Sequence, residues 1–226
     1  MESAQLPSQH KIAAMRYEAN ESSSHYALAH HWTLAGEPAT AILYYEKAAD
    51  QHKEDFATTE AVHLYHKELE LIDSNELLQQ QFVSHKSHVY TSLGLGYLHL
   101  DELGECFKYL CTALEYFGVP LPHGGVSLHA SLMKQTFIHT LHKLFRRKSG
   151  DGSYAIRPAD ELCDIYTTLT KFFLHAGNIT EARYTCLAAT NISENLHFVS
   201  QMSKNYSYLG SLRLTEGKTL RLVCWI

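Results

Sequence analysis

The sequence predicts an all-α protein made of antiparallel helix pairs, about nine or ten helices in all. Three observations carry this expectation. A pattern of small and bulky residues recurs along the chain at steps that fit helix, turn, helix. Glycines and a proline stand where the ends of those helices need them. The 226 residues are 45% hydrophobic and 19% charged, with only five prolines, an ordinary globular mix rather than a disordered one.

The first copy of the pattern is Ala29, Trp32, Gly36, Ala41, Tyr45 and Ala48, at steps of three, four, five, four and three. Gly94, Tyr97, Asp101, Cys106, Leu110 and Ala113 repeat those steps, as do Thr170, Phe173, Gly177, Ala182, Cys186 and Ala189. A fourth copy begins with Gly210, Arg213, Gly217 and Leu222. Residues three and four apart share one helix face. A small residue followed by an aromatic makes a hole and a knob on the first helix, and the step of five crosses a tight turn. The second helix then offers small, bulky, small, so it can approach closely. Such a pair needs the next pair to cover its apolar face.

The helix-end signals agree. Gly36 stands at a C′ position and Pro38 at the start of the next helix. Gly177 closes a helix, and Asn178 is placed to cap the following one with Glu181 at the capping-box position. Pro158 suits the first turn of a helix through residues 161–174. Between these copies, residues 59–71 read as another second helix, in which Glu68 stands where a small residue belongs. Residues 76–100 read as one long helical stretch.

Domain organisation follows. Residues 1–21 form an N-terminal segment, and residues 22–117 a helical repeat sub-module. Residues 118–157 are a connection holding an amphipathic basic helix, and residues 158–226 a second sub-module that ends within its last repeat. In the connection, Leu128, Leu132, Phe137, Ile138, Leu141, Leu144 and Phe145 make an apolar stripe, and Lys134, Lys143, Arg146, Arg147 and Lys148 a basic end. A membrane-surface or partner-binding helix is one reading of this pattern; a packing helix with basic residues at its C-terminus, where the helix dipole favours cations, is the preferred one. The bare apolar residues Val223 to Ile226 suggest an uncapped end, open to self-association or belonging to a fragment.

The copies resemble tetratricopeptide repeats, which carry a small residue and an aromatic on the first helix, a glycine near the turn, and small–bulky–small on the second. That resemblance implies a right-handed superhelix of helix pairs. The chain departs from it where Arg213 replaces an aromatic and where proline is missing after each second helix. Residues 22–122 also resemble the helical tail of STAND-type predicted ATPases attached to class III adenylyl or guanylyl cyclases or to protein kinases. The resemblance implies a regulatory tail beside an AAA-like core. The G-x-x-x-x-G-K-[ST] phosphate loop of such a core is missing here, because GLG at 94–96, HGG at 123–125 and GDG at 150–152 lack its ending.

Function is therefore expected to be non-catalytic: a scaffold for protein or peptide segments, with no nucleic-acid partner, no membrane contact and no cofactor. A formal charge of −5 gives no basic surface. No apolar run approaches the roughly 20 residues that cross a bilayer, and no leader segment is visible, so the cytoplasm is expected. The five cysteines, Cys106, Cys111, Cys163, Cys186 and Cys224, are odd in number and widely spaced, which argues against a disulfide framework. Cys106 and Cys186 read as small core residues. The sequons at Asn20, Asn178, Asn191 and Asn205 are expected to be unused. By helical phase, the residues that would line a partner-binding surface are His30, Thr33, Tyr90, His99, Lys171 and His175.

The sixteen histidines include three H-x-x-H pairs: His63/His66, His85/His88 and His139/His142. Each pair could offer two metal ligands from one helix face. No third ligand is signalled, and the reading as half-buried polar helix residues is preferred. A histidine-based metal enzyme and a non-functional fragment are the rival functional readings.

Overall fold

A computed structural model describes residues 5–18, 24–122, 124–145 and 156–215. These residues form eleven α-helices and no strand. They are α1 (Gln5–Glu18), α2 (His25–Leu34), α3 (Pro38–Glu54), α4 (Thr58–Asp73), α5 (Glu76–Gln81), α6 (Val83–His99), α7 (Leu103–Tyr116), α8 (Gly125–Phe145), α9 (Ile156–His175), α10 (Ile179–Leu196) and α11 (Val199–Thr215).

Eleven exceeds the nine or ten expected, for a physical reason. The single helix expected over 76–100 is interrupted at Phe82, whose φ of −104° and ψ of 21° leave the helical region. The break turns the Phe82 ring inward among Ile42, Ile72 and Leu78. The N-terminal stretch also forms a helix, α1, which buries Ala14 and packs on α2.

The chain divides into two compact units, Met1–Tyr116 and Phe117–Ile226. In the first, the substantial packing runs α1 on α2, α2 on α3, α3 on α4, α4 on α6 and α6 on α7. Contact passes from neighbour to neighbour, and short connections fold each pair back on itself. In the second, α10 packs against α8, α9 and α11.

The recurrent small and bulky residues are the core. Ala29, Trp32, Ala41, Tyr45 and Ala48 are buried, as are Cys106, Leu110, Ala113, Phe173, Ala182, Cys186 and Ala189. Gly94 allows α6 to approach α7: a Cβ there would stand 2.5 Å from Leu110 Cδ2. In the fourth copy only Gly210 and Arg213 lie among the described residues. Gly217, Leu222, the apolar end at 223–226, Cys224, Asn20 and Arg146–Lys148 lie outside them.

The equivalent turn positions share one backbone geometry. Gly36 (φ 76°), Asp101 (φ 62°) and Gly177 (φ 76°) are all left-handed. At each, the next residue's N–H reaches back across the turn: Glu37 to Trp32 O, Glu102 to Tyr97 O and Asn178 to Phe173 O. This is the Schellman closure. Pro38 opens α3 as expected. Asn178 occupies the N-cap of α10, but its side chain makes no capping hydrogen bond, so the expected capping box is not formed.

Helix α8 divides its apolar residues between two faces. Leu128 is buried, and Leu132, Ile138 and Leu141 are half-buried, whereas Phe137 and Leu144 are exposed. The single stripe read from the sequence is thus split. Val126, Ala130, Met133, Phe137, Thr140 and Leu144, alternately four and three apart, form an outward seam. Asn191 and Asn205 are buried, which closes two of the sequons to a glycan.

Candidate functional site

Three helices of the first unit each turn a pair of residues toward one place. Glu46 and Asp50 are one turn apart on α3, Tyr65 and Glu68 on α4, and His85 and His88 on α6. The spacing of three or four puts both members of each pair on one face, and α4 packs on both α3 and α6.

Glu68 is completely buried. One of its oxygens is hydrogen-bonded to His85 Nε2, and the other, Oε2, has no hydrogen-bond partner. The opposite ring nitrogen, His85 Nδ1, lies 4.0 Å from Glu46 Oε1. His88 Nε2 lies 3.7 Å from that same oxygen. The Tyr65 hydroxyl donates to Asp50 Oδ1 at 2.6 Å. Ligand atoms of Glu46, Asp50 and His88 all lie within 4.8 Å of one another.

The electrostatics follow from burial and charge. Burial raises the Glu68 pKa, because the charged form has lost its water; the hydrogen bond from His85 offsets part of this. Burial works against charge on His85 as well, but the hydrogen bond to Glu68 and the fields of Glu68, Glu46 and Asp50 outweigh it, so its pKa is raised. Burial and the Asp50 contact push the Tyr65 hydroxyl far up, which keeps it a donor. Among the described residues, no lysine or arginine pairs with Glu46, Asp50 or Glu68.

The other H-x-x-H pairs have different surroundings. In the second unit, His142 Nδ1 lies 2.9 Å from Glu194 Oε2 and His139 Nδ1 3.6 Å from it, while Tyr206 donates to Oε1. Burial would raise the Glu194 pKa, but these three neighbours hold it down to about 2. On α4, His63 is exposed, and His66 contacts the Tyr97 hydroxyl at 2.8 Å.

The residues expected to line a partner surface are distributed. His30, His99, Lys171 and His175 are exposed. Thr33 is half-buried, and its hydroxyl donates to Ala29 O within its own helix. His30 and Thr33 are on α2, and Tyr90 and His99 on α6, all in the first unit; Lys171 and His175 are on α9 in the second. Tyr90 belongs to a row of stacked tyrosines. Its ring stacks on Tyr116 at 5.3 Å and on Tyr109 at 6.1 Å, and Tyr109 stacks on Tyr97 at 5.3 Å. Burial, then the neighbouring Tyr116, pushes the Tyr90 hydroxyl up to about 12. Lys86 and Lys108 stand over the Tyr116 and Tyr109 rings, 6.0 and 5.3 Å from their centroids.

The four cysteines among the described residues offer no activated thiol. Burial pushes Cys106, Cys111 and Cys163 up to about 11 and Cys186 to about 12, which disfavours the nucleophilic thiolate.

Sequence reasoning named His85 and His88 but missed the carboxylates. Two signals were present: Glu46 and Asp50 four apart on a helix that also carries core positions, and Glu68 in place of a small residue. No protein-family profile matches the chain, and a search of curated proteins finds no relative. No helix among the described residues is long and apolar enough to cross a membrane.

Proposed function

We propose that the chain is a non-catalytic, tetratricopeptide-like scaffold: a right-handed superhelix of antiparallel helix pairs that holds protein or peptide segments. The observation that carries this reading is the neighbour-to-neighbour stacking of α1 to α7, with equivalent left-handed turns at Gly36 and Asp101. A stack of this kind extends a continuous surface along its length instead of closing around one cavity. The stacked tyrosines at 90, 97, 109 and 116 give it a rigid aromatic strip, and aromatic side chains contribute large contact area at low entropic cost. The outward seam of α8 adds a second apolar surface, of the kind that marks interaction sites. In the reading that the sequence resemblance favours, the chain works in the cytoplasm as the regulatory tail region of a signalling ATPase- or cyclase-like protein.

Selection from a random peptide library by the purified chain tests the scaffold reading. A selected peptide should bind with a dissociation constant in the micromolar range, and Tyr90→Ala with His99→Ala, or Phe137→Glu, should weaken it at least tenfold. Failure to select any peptide, or binding indifferent to all three changes, would refute it.

A further inference from the structure

We propose that Glu46, Asp50, His85 and His88 bind one divalent transition-metal ion, with zinc the best fit, tying α3 to α6. This departs from the expectation of no metal site and does not depend on the scaffold reading.

The donor set is the first argument. Glu46 and Asp50 of α3 and His88 of α6 bring ligand atoms within 4.8 Å of one another, and His85 Nδ1 approaches the same Glu46 oxygen at 4.0 Å. Zinc sits about 2.0–2.2 Å from such donors, so neighbouring ligands on a tetrahedral ion stand about 3.4 Å apart. His88 Nε2 at 3.7 Å and His85 Nδ1 at 4.0 Å from Glu46 Oε1 stand within about 0.6 Å of that spacing, and side-chain rotation on binding would draw Asp50, within 4.8 Å of Glu46 and His88, the rest of the way. Imidazole beside carboxylate suits zinc and its first-row neighbours; magnesium and calcium prefer oxygen alone.

Glu68 is the second, independent argument. A carboxylate with no exposed surface and one unpartnered oxygen is costly in a helical core. Its placement makes sense as support for a metal ligand. Glu68 accepts from His85 Nε2, and this leaves Nδ1 directed at Glu46. Metal-bound histidines are commonly oriented by a carboxylate on the far ring nitrogen. Tyr65 orients Asp50 in the same way, through the hydroxyl at 2.6 Å. Both supports come from α4, so the ion would join three helices.

The test uses the full chain, stripped with a chelator and titrated with buffered zinc at neutral pH. Because the chain has sixteen histidines, variants decide the result. One equivalent should bind to the wild type. His88→Ala should weaken binding about 100-fold, and Glu46→Gln and Glu68→Gln at least tenfold, in keeping with the cost of ligand and supporting changes. His142→Ala and His63→Ala should leave it unchanged. Far-UV circular dichroism checks folding. Should His88→Ala unfold, Glu46→Gln decides, since it keeps the side-chain shape and removes one charge. Absence of a stoichiometric ion, retention of full affinity in Glu46→Gln, loss of binding in His142→Ala, or equal binding of magnesium would each overturn the proposal.

Discussion

Gly94 of α6 and Leu110 of α7 approach so closely that a Cβ on the glycine would stand 2.5 Å from Leu110 Cδ2 and 2.7 Å from Cγ. Leu110 is fully buried and has little room to yield. Gly94→Ala should therefore destabilise the chain by about 1–2 kcal/mol, overpacking of about 1–3 kcal/mol outweighing the roughly 1 kcal/mol gained in helix propensity. Gly104, near the start of α7, has open space around it, so Gly104→Ala should stabilise by about 0.5 kcal/mol. Urea unfolding followed by circular dichroism compares the two.

Phe56 closes α3 with a φ of 60° while 93% exposed. A bulky residue pays about 1–2 kcal/mol for this conformation, and the ring makes little packing contact in return. Phe56→Gly should raise stability by about 0.5–1 kcal/mol, and Phe56→Val should lower it, both read from denaturant midpoints at unchanged slope.

The clasp of Glu194 by His142, His139 and Tyr206 makes stability depend on acid. The pKa of Glu194 is depressed to about 2 from an ordinary 4.5. The unfolded state therefore takes up the proton first as pH falls. The stabilisation is complete above about pH 4.5 and is lost progressively toward pH 2, and it is on the order of 1–3 kcal/mol. Glu194→Gln should flatten that part of the stability profile, as measured by melts at pH 2–6. A profile of unchanged steepness would remove Glu194 as its source.

Cys106, Cys163 and Cys186 are buried with thiols pushed up to about 11, 11 and 12. Alkylation at pH 8 followed by mass spectrometry should modify all three no faster than the unit that holds each one opens, and denaturant should release Cys163 and Cys186, which share the second unit, together.

Much of the fold was legible because it depends on local spacing. Ala41, Tyr45 and Ala48 read as core from steps of four and three, and Gly36, Asp101 and Gly177 aligned as equivalent turn positions before their shared φ was visible. The break at Phe82 was not legible. It depends on Ile42 and Ile72, which are distant in sequence, and a buried aromatic reads the same in an intact helix. The two faces of α8 were hidden for the same reason, since periodicity does not say which of two apolar arcs meets α10.

The sequence by itself determined most of the helices, the closures at Gly36, Asp101 and Gly177 and the inward residues of the repeat copies, because these are set by interactions within a few residues. It also determined that His85 and His88 share a face. Only the tertiary structure decided what that face meets. Packing of α4 against α3 and α6 carried Glu68 into the core and set Glu46 and Asp50 beside the imidazoles. Local spacing marks Glu46 with Asp50 and singles out Glu68, but it does not say that carboxylates some 17 to 39 positions upstream of His85 meet it; their convergence is a property of the stack.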